Sequence, residues 1–276
     1  MKLYKITISP KSAFVTSLKG DTIFGQLCWM IAYKNKNRLK ELLNQNTPFM
    51  IVSDGFVSGY LPKPKMPMRF LGEKLKDKKI NRKKNYLLFD DLLNGEYQKA
   101  IDLEMQNLEI VRNSLNYQTF KTDENFTPYT KKEINYPKMD IYFLTILSKN
   151  ELLEIVEMLS HFGYGADTTI GKGKFEIIDI KEINITQKSD YYMALSPFSV
   201  EGISEVYYDT FIRFGKSGYD KNKNPFKKPI ILADTASVVK SNKEIKYIGK
   251  VIKNISTYKD IIHQGYAITI PIKVKQ

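Results

Sequence analysis

The residues best placed to do chemistry in this 276-residue chain lie between His161 and Ile177. Two Gly-x-Gly pairs, Gly163/Gly165 and Gly171/Gly173, flank a polar turn and account for four of the fifteen glycines. Glycine admits backbone conformations closed to other residues, so successive N–H groups can turn into one concavity and hold an anion. Lys172 and Lys174 add positive charge beside it. The chemistry implied is the grip of a phosphate chain. The same glycines would also serve as a left-handed helix cap and a hairpin turn. A second candidate is Lys19-Gly20-Asp21-Thr22, where a lysine precedes the N–H groups that open a helix, an arrangement that binds phosphate readily.

Covalent catalysis has little support. His161 and His263 are the two histidines, and neither has a Ser or Cys partner at a recognisable spacing. No Gly-x-x-x-x-Gly-Lys-Ser/Thr loop, no metal-ligand cluster and no cofactor motif is present. Asp90-Asp91 reads as the polar side of a short helix. A general base is still conceivable, because imidazole titrates near neutrality and RNA cleavage through the 2′-OH needs no metal. His161 and His263 are read instead as contacts to RNA or as satisfied core residues.

The charge supports a polyanionic partner. Lys plus Arg number 43 against 30 Asp plus Glu, a net of +13. The excess is clustered, with ten basic and two acidic residues from Lys63 to Lys84, and five against one from Lys216 to Lys228. Cys28 is the single cysteine, so no internal disulfide forms, which fits a reducing cytosol and a cytoplasmic location. The amino terminus has no signal-like apolar core, and no apolar run of membrane-spanning length occurs.

The elements that must position these groups follow from periodicity. Leu3–Ile8 reads as a strand, Thr22–Tyr33 as a helix, Arg38–Asn44 as a second short helix, and Ile51–Leu61 as strand, turn, strand. About Pro62 to Pro137 is a long basic insertion. Its parts are a proline-rich extended start (Leu61–Phe70), a solvated basic run (Lys74–Lys84), a weakly helical stretch (Tyr86–Leu103) and an irregular polar stretch (Val111–Tyr136). Prolines, Met66, Phe70 and the cations make it an arm suited to lie along a nucleic-acid strand. Asp140–Leu147 is a strand, Ser148 with Glu151 makes a capping box, Asn150–His161 is a helix and Phe175–Ile180 a strand. This βαββαβ order is that of a ferredoxin-like (RRM-like) domain, residues 1–185, an architecture often used to bind RNA. After a polar linker, residues 186–276 read as a degenerate second ferredoxin-like domain. Its strands are Tyr207–Phe214, Pro229–Ala233, Ser237–Lys240, Ile245–Ile252 and Tyr266–Val274, with a helix over Asn254–Ile262. The fold class is α+β, with tandem ferredoxin-like domains.

Several stretches resemble one family, the repeat-associated RAMP proteins of CRISPR systems. Lys19-Gly-Asp-Thr-Ile-Phe-Gly-Gln-Leu-Cys-Trp29 looks like their first-helix signature, and Gly163–Phe175 like their glycine-rich loop. Ser53-Asp-Gly-Phe56 with Leu61-Pro-Lys-Pro64, and His263-Gln-Gly-Tyr-Ala267, resemble the type III-A Csm-complex subunit that holds the 5′ handle of the crRNA. That resemblance implies a β-hairpin thumb within the insertion and a place between a Cas10-type large subunit and the first backbone RAMP subunit, with target RNA near the handle. It implies RNA contacts at Lys19, Gly20, Asp21 and Thr22, and at Gly163, Tyr164, Gly165, Gly171, Lys172 and Gly173. Lys63, Lys65, Met66, Arg69 and Phe70 would lie near the thumb, and Arg112 in a basic, asparagine-containing segment. Lys174, His161, His263 and Arg213 complete the candidate RNA-binding set. The expected role is non-catalytic handle binding and scaffolding in antiviral defence. The rivals are a metal-independent RAMP-type endoribonuclease acting on repeat RNA and a general single-strand binder.

Overall fold

The structure, a computed structural model, describes residues 1–73, 78–122, 128–216, 224–258 and 261–275. The chain opens with β1 (Lys2–Pro10), α1 (Gly20–Lys34), α2 (Lys36–Leu43), β2 (Met50–Val52), β3 (Phe56–Val57) and β4 (Tyr60–Pro62). The insertion follows with α3 (Lys78–Lys83), β5 (Tyr86–Leu88), α4 (Phe89–Asn94), β6 (Gln106–Arg112), β7 (Leu115–Asn116), β8 (Lys121–Thr122) and β9 (Tyr129–Asn135). Then come β10 (Met139–Thr145), α5 (Lys149–Phe162) and β11 (Phe175–Glu182). The remainder is β12 (Tyr191–Ala194), β13 (Val206–Tyr207), β14 (Thr210–Arg213), β15 (Ile230–Ala233), β16 (Val238–Lys240), β17 (Tyr247–Gly249) and β18 (Tyr266–Ile272).

The first sheet is antiparallel in the order β11-β1-β10-β2, with β3 also paired to β10. This is the βαββαβ part of the expectation, and its elements fall where periodicity placed them. The Ser148–Glu151 capping box forms, with Glu151 N donating to Ser148 Oγ at 3.2 Å and Ser148 N to Glu151 Oε2 at 2.9 Å. Strand β10 is buried along its whole length. Met139, Ile141 and Phe143 pack beneath α1 and α5 with Leu27, Val156 and Leu159. The alternate residues Tyr142 and Leu144 enter a second core. A strand covered on both faces loses the polar alternation of a surface strand.

That second core joins the two halves. The second sheet, ordered β13-β16-β12-β18-β17, contributes Met193, Val238, Ile268, Ile270 and Ile272 to it. Residues 186–276 hold no α-helix among the described residues. The crossing helices of a second ferredoxin-like domain are therefore not seen there. Asn254–Tyr258 and Ile261–Ile262 are irregular, while 259–260 lie outside the described residues; Ile252 and His263 on either side of this stretch form an antiparallel bridge.

The insertion departs most from its sequence reading. Its first part is no free arm: Leu61, Leu71, Leu87, Leu92, Tyr97 and Ala100 are buried in the second core. Tyr86–Leu103 is a strand, a short helix and a 3-10 turn. Of the basic run, Lys78–Lys83 form α3 and 74–77 lie outside the described residues, as do 217–223 of the second basic run. Val111–Tyr136, read as irregular, belongs to a hairpin: β6 pairs β9 antiparallel from Gln106↔Asn135 to Arg112↔Tyr129. Residues 123–127 near its far end lie outside the described residues. The hairpin was not legible because Leu108, Val111 and Leu115 remain exposed, so no apolar face marks its period.

Candidate nucleic-acid interface

The glycine loop is strongly curved but closed on itself. Gly163, Gly165, Gly171 and Gly173 all have positive φ, as has Asp167. Their N–H groups, however, have partners within the chain. Gly163 N donates to Leu159 O, Tyr164 N to Gly173 O and Gly173 N to Ala13 O. Gly165 N donates to Gln26 Oε1 at 3.2 Å and Ala166 N to Thr16 Oγ1 at 3.0 Å. Tyr164 is buried to 1% and its hydroxyl donates to Ser17 O at 2.7 Å. The expected concavity of free amides is thus filled by the loop's own contacts with the β1–α1 connection.

The lysines of this loop are also engaged. Lys172 Nζ lies 2.5 Å from Glu133 Oε2, and Lys174 Nζ donates to His161 O. Glu133, on β9, also accepts from Arg112 Nη2 at 2.6 Å, and Asp167 accepts from Arg112 Nη1 at 2.9 Å and from Lys131. Hydrogen bonds and cationic neighbours hold both carboxyls below their ordinary range, led by Lys172 for Glu133 and by Lys131 for Asp167. Arg112 therefore fastens the hairpin to the glycine loop. Glu133 and Asp167 were missed from sequence because nothing local links them.

The start of α1 is likewise capped by carboxylates. Asp54, on the β2–β3 turn, accepts from Gly20 N at 2.8 Å, from Lys19 Nζ at 2.7 Å and from Thr235 Oγ1 at 2.5 Å. Burial presses the Lys19 pKa down, but Asp54 and Asp234 outweigh it and the net direction is up. Asp21 pairs with Arg213 Nε at 2.6 Å, and Arg213 also donates to Thr22. His263 is 5% exposed, with Nε2 3.9 Å from Asp21 Oδ2 and without a hydrogen-bond partner. Burial pushes its pKa down to about 4. Asp21, Thr22, Arg213 and His263 thus meet at a junction between α1 and the second half, with the Asp21 and His263 side chains buried and Thr22 and Arg213 partly exposed. His161 sits exposed at the end of α5.

What remains open is a groove of about 1520 Å³ between the β1–α1 connection, the start of the insertion and the β15–β16 turn. It brings together Lys19, Lys63, Lys65, Met66 and Arg69 from the sequence-derived set, and adds Lys84. Tyr86, Met105 and Tyr136 give it apolar walls. Prolines 62 and 64 keep Leu61–Lys65 extended, Pro67 precedes a 3-10 turn over Met68–Leu71, and Lys65 N donates to Ala236 O at 2.9 Å, pinning that segment to the second half. Lys65 Nζ lies 2.8 Å from Asp234 and 3.1 Å from Asp209. Lys63 is turned towards Glu73 at 2.9 Å. Arg69 lies over the Phe70 ring, 4.8 Å from its centroid, and Phe70 packs on Tyr207 and Tyr191. Among the described residues neither Arg69 nor Lys84 has a carboxylate at ion-pair distance, whereas Lys19, Lys63 and Lys65 each have one. No group of three or more His, Cys, Asp or Glu that could hold a metal occurs among the described residues. No helix among them is long and apolar enough to cross a membrane.

No protein-family model and no curated protein sequence matches the chain. Solved structures do. A chain of the Csm1–Csm4 cassette in complex with AMPPNP matches over 100% of both chains with a TM-score of 0.66 and 17% identity. A chain of the Csm3–Csm4 subcomplex of the type III-A CRISPR-Cas interference complex matches over 99% of both, with a TM-score of 0.61 and 16% identity. The chain is similar in fold to Csm4, the subunit common to both assemblies.

Proposed function

From that likeness as premise, we propose that this chain is a non-catalytic RNA-binding and scaffolding subunit of a type III-A CRISPR effector complex. The 5′ handle of the crRNA lies in the groove. The observation that carries this reading is the convergence of Lys19, Lys63, Lys65, Arg69 and Lys84 on one groove with aromatic walls, the first three held in place by Asp54, Glu73, Asp209 and Asp234 and the last two without a carboxylate at ion-pair distance among the described residues. Unpaired RNA is held by cations along its phosphates and by stacking of its splayed bases, and this groove offers both. The glycine loop acts indirectly, by fixing the β1–α1 connection that forms one wall. A Cas10-type large subunit and a backbone RAMP subunit flank it, an arrangement supported by the assemblies in which its structural neighbours occur. The β6–β9 hairpin serves as the thumb, standing between handle and guide and setting where target pairing begins. The architecture is read as tandem ferredoxin-like domains, the second reduced to its sheet, and the setting as antiviral defence in the cytoplasm.

The test is retention of handle RNA by the full chain. Lys65→Glu with Arg69→Glu is expected to weaken binding and to flatten its salt dependence by about 0.7 in slope for each phosphate no longer neutralised. Equal binding of handle and scrambled RNA would favour the general single-strand binder. Cleavage of repeat RNA in EDTA, lost in His161→Ala, would favour the endoribonuclease.

A further inference from the structure

The β14–β15 ribbon is apolar on its outer side. Its inner side is anchored: Phe211 lies under Lys19, 5.1 Å from Nζ to ring centroid, Arg213 pairs with Asp21 at 2.6 Å, and Leu232 is buried. The residues between them face solvent. Ile212 is 54% exposed and Ile231, directly opposite it in register, is 69% exposed. Beyond the paired strands, Phe214 is 74% and Phe226 69% exposed. Lys216 bridges back to Phe226, with its ammonium 4.9 Å from the ring centroid. A contiguous exposed apolar strip of this kind marks a surface that something covers.

The charges on the strip say what covers it. Lys216 and the exposed Lys228 have no carboxylate at ion-pair distance among the described residues. Two exposed rings with the Lys216 ammonium beside them match a chain that is anionic along its backbone and flat and apolar in its side groups. That is an unpaired nucleic-acid strand. The ribbon begins beside the groove, which Asp209 lines and whose Lys19 rests on Phe211, and the apolar strip lies on its opposite, outer side. At about 3.3 Å per residue, Phe214 stands roughly 16 Å further along.

We propose that this ribbon is a second strand-binding surface, on which nucleotides of unpaired RNA leaving the groove stack against Phe214 and Phe226 with Lys216 beside a phosphate. This rests on the groove reading above. The experiment titrates the full chain with two unstructured fluorescent RNAs, one of about four nucleotides and one of about sixteen. Phe214→Ala with Phe226→Ala is expected to weaken binding of the longer RNA about tenfold. It should leave the shorter RNA, the salt slope and the thermal midpoint unchanged, since neither ring belongs to the buried core or carries charge. Lys216→Ala should lower the slope for the longer RNA by about 0.7. Wild-type affinity for the longer RNA in the double Phe variant would overturn the inference and leave the groove reading standing; a cross-link from this face to a protein subunit instead would assign it to protein docking. Failure of the wild-type chain to bind either RNA would overturn both.

Discussion

Arg112 Nη1 donates to the Asp167 carboxylate at 2.9 Å, joining positions 55 residues apart. Through this pair the β6–β9 hairpin is held to the glycine loop, and the two carboxylates Glu133 and Asp167 gather Arg112, Lys131 and Lys172. A two-stranded hairpin is marginal alone in water, so this cluster, with the backbone bridge between Phe14 and Ile134, holds its orientation.

Glu133→Gln is therefore expected to loosen the hairpin before the rest of the chain. Glu133 is 1% exposed, and loss of its charge leaves Arg112 and Lys172 short of an anion, at a cost of roughly 1.5–3 kcal/mol. The pH sign follows from folded pKa values held below the unfolded values of 4.5 and 3.8. The stability contributed by Glu133 and Asp167 is complete above those values and lost as pH falls through and below them. Hydrogen exchange over 106–135 against pH is the measurement.

Gly173 and Gly171 should separate sharply. A Cβ at Gly173 would lie 2.0 Å from Tyr164 O, whereas at Gly171 it meets nothing within 4 Å. Both have positive φ, +71° and +84°. Gly171→Ala is expected to cost about 1 kcal/mol of backbone strain. Gly173→Ala must also displace backbone and should cost at least about 3 kcal/mol. Denaturant midpoints of the two variants check this.

His263 makes stability fall on mild acidification. Its folded pKa of about 4 lies below the ordinary 6.5, so the unfolded state takes up the proton first. Stability is full above about pH 6.5 and falls towards pH 4, by up to about 3 kcal/mol. His263→Asn should remove that part of the pH dependence in thermal melts.

Asp54 has three donors at the head of α1, so its loss should exceed that of either partner. Asp54→Ala leaves Lys19, Gly20 N and Thr235 without their shared acceptor, an expected cost of about 3 kcal/mol or more. Thr235→Val removes one donor and should cost about 1 kcal/mol. Chemical denaturation compares them, and Asp54→Ala should also lower RNA affinity because Lys19 loses its position on the groove.

Along the chain, local pattern determined the βαββαβ elements: the alternation of Leu3–Ile8, the capping box at Ser148 and the apolar stripe of α5 are short-range facts that each stretch carries by itself. Local pattern also singled out the glycine loop and the lysines near Lys63. It could not say that the loop's amides point inward, because Ala13, Thr16 and Gln26, which accept them, lie about 140 or more positions away. Nor could it separate cations that face open space from those neutralised by distant acids: Lys172 met Glu133 and Arg213 met Asp21, while Arg69 and Lys84 were left facing the groove. Charge counts add along a chain, but pairing depends on distances of a few ångströms, and only the packed sheets set those distances.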